Sequence, residues 1–98
     1  MQTITVKDLF ERIGKDSSLK LVDVRTPAEN KSVRIEHAIN IPIEEIMANL
    51  DDLKSGGEVY ISCNSGTRSQ MVCEDLALHG LTNLVNVEGG IQAWIKQE

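Results

Sequence analysis

Hydrophobic positions along this chain fall into short β-branched runs and longer helically spaced sets, and the two kinds alternate. Ile4-Thr5-Val6 predicts a strand; behind it Val6, Leu9, Phe10 and Ile13 recur at helical spacing until Gly14 supplies a stop. Leu19 to Val24 reads as a second strand, closed by Thr26-Pro27, with Pro27 suited to the first position of a short helix. Ala38 to Ile41 is a third strand, and Pro42 opens a helix with Ile43, Ile46, Met47 and Leu50 on one face. After the turn at Ser55-Gly56-Gly57, Glu58 to Ser62 reads as a buried strand ending at Cys63. A helix from about Ser69 to His79 stops at Gly80, Leu84 to Val87 forms the last strand, and Ile91 to Lys96 the last helix.

Such alternation predicts an α/β fold: a mostly parallel central sheet of about five strands, joined by right-handed crossovers and covered by helices on both faces. Ligands of such sheets sit beyond the carboxyl ends of the strands. Chemistry is therefore expected among Val24-Arg25-Thr26, Ser62-Cys63-Asn64 and Val87-Glu88-Gly89-Gly90.

Composition narrows the function classes. The 98 residues, 41% hydrophobic and 26% charged, suit one globular domain spanning residues 1–98 and not a disordered chain. Ten Lys and Arg against fifteen Asp and Glu leave a net charge of −5, which argues against nucleic acid or anionic membrane as the main partner. Two cysteines are too few for a disulfide scaffold, the N-terminus lacks a secretory pattern, and no apolar run approaches the ~18 residues needed to span a bilayer. The expected compartment is the cytoplasm, where thiols stay reduced.

The segment Cys63-Asn64-Ser65-Gly66-Thr67-Arg68-Ser69 joins a strand to a helix N-terminus. Gly66 lets the backbone curl so that amides from Asn64 to Ser69 turn inward as an anion nest. The helix start adds unpaired N–H groups and the positive end of its dipole, and Arg68 adds a charge that cannot be titrated away. All three favour thiolate over thiol. The size matters: a cysteine of pKa about 8.5 is roughly 3% ionised at pH 7, and one lowered to about 6.5 roughly three-quarters ionised. Cys63 is thus the candidate nucleophile and needs no histidine base. The reading requires this thiol to be ionised at neutral pH and reachable from solvent.

These residues carry a resemblance that extends over essentially the whole chain. Leu21-Val22-Asp23-Val24-Arg25 with Pro27 and Glu29, then Ala38, Asn40, Ile41 and Pro42, then Cys63 to Ser69 as C-x-x-G-x-R-S, then Gly89-Gly90-Ile91-Gln92-Ala93-Trp94 as G-G-x-x-x-W, resemble in order the motifs of a single-domain rhodanese, a sulfurtransferase. The resemblance implies a rhodanese-like three-layer sandwich and a thiosulfate sulfurtransferase activity. Cys63 would accept sulfane sulfur as a persulfide, Arg68 would share the catalytic role, and Asn64, Ser65, Gly66, Thr67 and Ser69 would bind substrate. Partners would be a small sulfur donor and a thiol or cyanide acceptor, with a protein persulfide as a further donor or acceptor, and neither metal nor organic cofactor is expected. Where the family carries G-H-I-x-G-A, Val33-Arg34-Ile35-Glu36-His37-Ala38 replaces both glycines and the histidine, so the local backbone is expected to differ.

Other polar and sulfur residues have plainer readings. Cys73 shares a helical face with Val72, Leu76 and Ala77, which predicts core packing. Asp23, Arg25 and Glu29 suit a structural ion-pair cluster, with Arg25 lining the pocket as the alternative. His37 and His79 read as structural or exposed, and Trp94 as the anchor of the last helix. Two other functions stay open: a persulfide carrier or interaction module with little turnover, and a cysteine phosphatase or arsenate reductase. The latter class uses C-x-x-x-x-x-R, whereas four residues separate Cys63 from Arg68 here.

Overall fold

The computed structural model describes residues 2–97. Strand β1 (Gln2–Ile4) leads into helix α1 (Val6–Lys15), then β2 (Lys20–Asp23), α2 (Pro27–Ser32) and β3 (Ile39–Asn40). A 3-10 helix (Ile43–Asn49) runs on into α3 (Leu50–Lys54), followed by β4 (Val59–Ser62), α4 (Thr67–Leu78), β5 (Leu84–Val87) and α5 (Gly90–Gln97). The five strands are all parallel, in the order β1-β5-β4-β2-β3. That order places the ends of β2, β4 and β5 side by side at the middle of the sheet.

Alternation along the strands sorts the core into two layers. Val22, Val24, Ile61, Cys63 and Leu84 face Ile46, Leu53, Val72, Cys73 and Leu76 on one side. Leu21, Tyr60, Val85 and Val87 face Leu9, Ile13 and Ile91 on the other, with Trp94 packed against them. Both faces are covered, which gives the expected three-layer α/β sandwich. No helix of the described residues is long and apolar enough to cross a membrane.

Several boundaries differ from the pattern-based expectation. Thr5 is a cap and not a strand residue: its hydroxyl accepts the Asp8 N–H at 3.2 Å, so β1 ends at Ile4 and α1 starts at Val6. Gly14 lies inside α1, which continues to Lys15. The segment after Pro42 coils as a 3-10 turn before becoming α-helical, and leaves Ile43 and Met47 exposed. Phe10 is 57% exposed, its ring meeting Trp94 edge-on at 6.0 Å. Val33 is extended, and no described non-glycine residue has a positive φ, so residues 33–38 take up their glycine-free sequence without left-handed backbone.

Candidate active site

The loop from Cys63 to Gly66 sits where β4 turns into α4, and α4 begins two residues earlier than expected, at Thr67. Gly66 makes the turn with φ +97°, and a Cβ there would lie 3.0 Å from Gly89 N. The loop's carbonyls are held from outside: Ile91 N donates to Cys63 O at 2.9 Å and Gln92 N to Asn64 O at 3.0 Å. With its carbonyls pulled outward toward α5, the loop turns its amides in toward the sulfur. Gly66 N donates to Cys63 Sγ at 3.1 Å and Ser69 N at 3.3 Å. The Ser69 hydroxyl lies 3.3 Å from the same sulfur.

These contacts decide the ionisation of Cys63. Burial pushes the thiol up, but the Ser69 hydroxyl and N–H, then the N–H groups of Gly66 and Ser65, outweigh it and hold the thiol below its ordinary value. Cys73 is the opposite case. Buried among Val72 and Leu76 with no compensating donors, it is pushed up to about 11. It is a core cysteine, as its helical face predicts, although Ala77 beside it is exposed.

Two expectations about this site are corrected. Arg68 does not aim its guanidinium at the sulfur; it forms a bidentate pair with Glu29, at 3.0 and 2.9 Å. Glu29 is fixed there by the capping box of α2, in which Thr26 N donates to its carboxylate and Thr26 Oγ1 accepts its N–H. The bidentate partner lowers Glu29 to about 2, and the Arg68 charge reaches Cys63 only through space. Nor is the thiol open to solvent, since the Cys63 residue is 1% exposed. The loop wraps the sulfur because α5 draws it down: a Cβ on Gly90 would sit 2.3 Å from Cys63 O.

Of the remaining expected site residues, Ser69 is buried against the sulfur, and Asn64 contributes its carbonyl to the α5 junction. Ser65 and Thr67 are exposed on the rim, their hydroxyls 3.5 Å apart. Asp23 and Arg25 do pair, at 2.8 Å and almost fully buried, with Asn30 Nδ2 donating to Asp23 at 3.0 Å. Glu29 is not part of that cluster. Arg25 also donates to Val33 O, so it ties the segment after α2 to the end of β2 and is not a pocket-lining group.

A model of the rhodanese-like domain matches residues 5–97. The chain belongs to the rhodanese-like domain family. A protein of Allochromatium vinosum named sulfurtransferase is 33% identical to this rhodanese-like chain over 93 residues, covering 95% of the chain and 87% of the relative. YrkF of Bacillus subtilis, provisionally named a sulfur carrier protein, is 30% identical over 91 residues; the match covers 93% of this chain but only 49% of YrkF. The crystal structure of a rhodanese-like domain protein from Staphylococcus aureus superposes with a TM-score of 0.87 at 37% identity, covering 96% of this chain and 91% of that one.

Sequence reasoning missed one buried polar contributor, Asn86. It lies on β5, is 4% exposed, accepts the Ser69 hydroxyl at 2.5 Å and donates to Gly66 O at 3.4 Å. The available signal was a single amide in the otherwise apolar strand Leu84-Val85-Asn86-Val87.

Proposed function

We propose that this rhodanese-like chain is a sulfurtransferase that moves sulfane sulfur through a persulfide on Cys63. The observation that carries the reading is the pair of donors converging on one sulfur, the N–H groups of Gly66 and Ser69, with the Ser69 hydroxyl 3.3 Å away and able to turn its proton to the sulfur once the thiol ionises. Preorganised donors in a dry site stabilise an anion without reorganising during reaction. With thiosulfate, the Cys63 thiolate attacks the outer sulfur, a sulfur–sulfur bond forms, and sulfite leaves with the electron pair. Cyanide or an acceptor thiolate then attacks the terminal sulfur of Cys63–S–S⁻ and restores the Cys63 thiolate. The double displacement predicts ping-pong kinetics.

Cys63 is 1% exposed and falls short of the solvent access this chemistry requires, so sulfur transfer needs the loop to open before a donor reaches the thiol. A terminal sulfane sulfur is a single atom and enters a narrow ring of amides more readily than a tetrahedral oxyanion does. The loop from Asn64 to Ser69 also carries no carboxyl or imidazole to protonate a leaving alkoxide, which weighs against phosphate chemistry. Arg68, locked to Glu29, keeps the start of α4 against α2, while the N–H groups of Ser65, Gly66 and Ser69 form the cradle, with the Asn64 carbonyl tied to α5 and the Thr67 side chain on the rim. Two free cysteines suit a reducing compartment such as the cytoplasm.

A second reading, that of a persulfide carrier serving a protein partner, is favoured by the likeness to YrkF. Intact mass spectrometry after thiosulfate treatment tests sulfur acceptance: one sulfur gained, reversed by dithiothreitol and absent in Cys63→Ala. A protein that gains no sulfur from thiosulfate or from a persulfide overturns the reading, and fast loading with slow cyanide turnover selects the carrier form.

A further inference from the structure

The Ser69 hydroxyl has one proton and three acceptors within reach: Asn86 Oδ1 at 2.5 Å, Gly66 O at 3.2 Å and Cys63 Sγ at 3.3 Å. Gly66 O already accepts from Gln70 N at 3.1 Å and from Asn86 Nδ2 at 3.4 Å, which fills its two lone pairs, so the competition lies between Asn86 and the sulfur. We propose that Asn86 is a positioning residue that competes with Cys63 for the Ser69 hydroxyl, and so sets how firmly the loop holds negative charge on that sulfur.

The orientation of Asn86 is fixed by its surroundings. Its Nδ2 donates to Gly66 O, and a flipped amide would press oxygen against oxygen there. With a neutral thiol the bonds run in series: Cys63 Sγ–H to Ser69 Oγ, Ser69 O–H to Asn86 Oδ1, and Asn86 N–H to Gly66 O. When the thiol ionises, the Ser69 proton must turn to the sulfur, and buried Asn86 Oδ1 loses that donor. Asn86 therefore opposes the thiolate and favours states in which the inner sulfur is uncharged.

For turnover this has a consequence that rests on the sulfur-transfer reading. In Cys63–S–S⁻ the charge resides on the outer sulfur, so the hydroxyl returns to Asn86. Asn86 then tilts the balance from thiolate toward loaded enzyme. It also spares the thiolate from over-stabilisation, which would lower its nucleophilicity. The other ionisable groups acting on the sulfur are Arg68, neutralised by Glu29 from α2, and Cys73 of α4; replacing Asn86 changes neither.

The test is the sign of a shift, read without any sulfur donor and so independent of whether sulfur is transferred. Ionisation of Cys63 is followed by iodoacetamide rates at the Cys63 peptide in wild type, Asn86→Leu and Asn86→Ala. Freeing the hydroxyl is expected to lower the apparent pKa by about one unit, and the shift should vanish when Ser69→Ala is also present. A purely structural Asn86 would do the reverse, since a loosened loop withdraws its amides and raises the value. No shift, an upward shift, or a downward shift that survives Ser69→Ala overturns the proposal. Should neither variant fold, the wild type still decides: the Asn86 side-chain carbonyl carbon resonance should move with Cys63 ionisation, and a resonance that stays fixed overturns it.

Discussion

Substituting Gly90 by alanine strikes the junction that shapes the site. A Cβ there would lie 2.3 Å from Cys63 O and 2.8 Å from Asn64 O, more than an ångström inside the first contact's normal distance of about 3.5 Å. Its φ of +54° adds about 1–2 kcal/mol for any non-glycine residue. Relieving the contact moves α5 away from the loop and loosens the bonds from Ile91 N and Gln92 N, each contributing about 1 kcal/mol. The sum is about 3 kcal/mol, or a melting temperature lower by about 12–24 °C in a domain this size. With its carbonyls released, the loop no longer aims the Gly66 and Ser69 amides at the sulfur, so the Cys63 thiol should also titrate at higher pH. Urea unfolding and a thiolate titration read the two effects. Gly14→Ala is the control: it lies in α1 with open space around its Cβ and should gain about 0.5–1 kcal/mol. A Gly90→Ala protein within about 1 kcal/mol of wild type, with an unshifted thiol, would refute the reasoning.

Glu29→Gln should remove part of the acid sensitivity of folding. The paired carboxyl is lowered from an ordinary 4.5 to about 2, so its contribution is present above pH 4.5 and is lost as pH falls through about 2. Because the pair is half exposed, the effect is at most about 1 kcal/mol; identical acid profiles for variant and wild type would rule it out. Cys73→Ala should cost about 1 kcal/mol of packing yet leave sulfur loading at Cys63 intact, and lost loading by intact mass would give Cys73 a chemical role. Leu76→Ala, at a fully buried position, should cost about 2–5 kcal/mol, whereas Leu78→Ala, 86% exposed, should stay within about 0.5 kcal/mol; comparable losses in urea melts would contradict the layer assignment.

Much of this arrangement is legible in the residues. The apolar runs at Leu21-Val22 and Val59-Tyr60-Ile61 locate central strands because a parallel sheet covered on both faces demands unbroken apolar runs. Cys63 stands out because a thiol followed by Gly66 and a helix start has few uses other than anion chemistry. What the chain conceals is the direction of long or competing side chains. Arg68 reads as a cation beside a thiol, yet a carboxylate 39 positions away, held by its own capping box, captures it. Thr5 reads as a strand residue until its hydroxyl is seen capping α1. Burial of the Cys63 thiol was invisible for a similar reason: it depends on Gly90 letting α5 approach the loop, a contact between segments 27 residues apart.

Titration of the Cys63 thiol in a Cys73→Ala background, by ultraviolet absorbance checked against alkylation rate, bears most directly on the proposed chemistry. Stabilisation by the Gly66 and Ser69 donors predicts an apparent pKa below that of an unperturbed cysteine, read from the same protein unfolded in urea. A thiol titrating at or above that value would mean that burial outweighs the loop amides, and that Cys63 is a core sulfur and not a nucleophile.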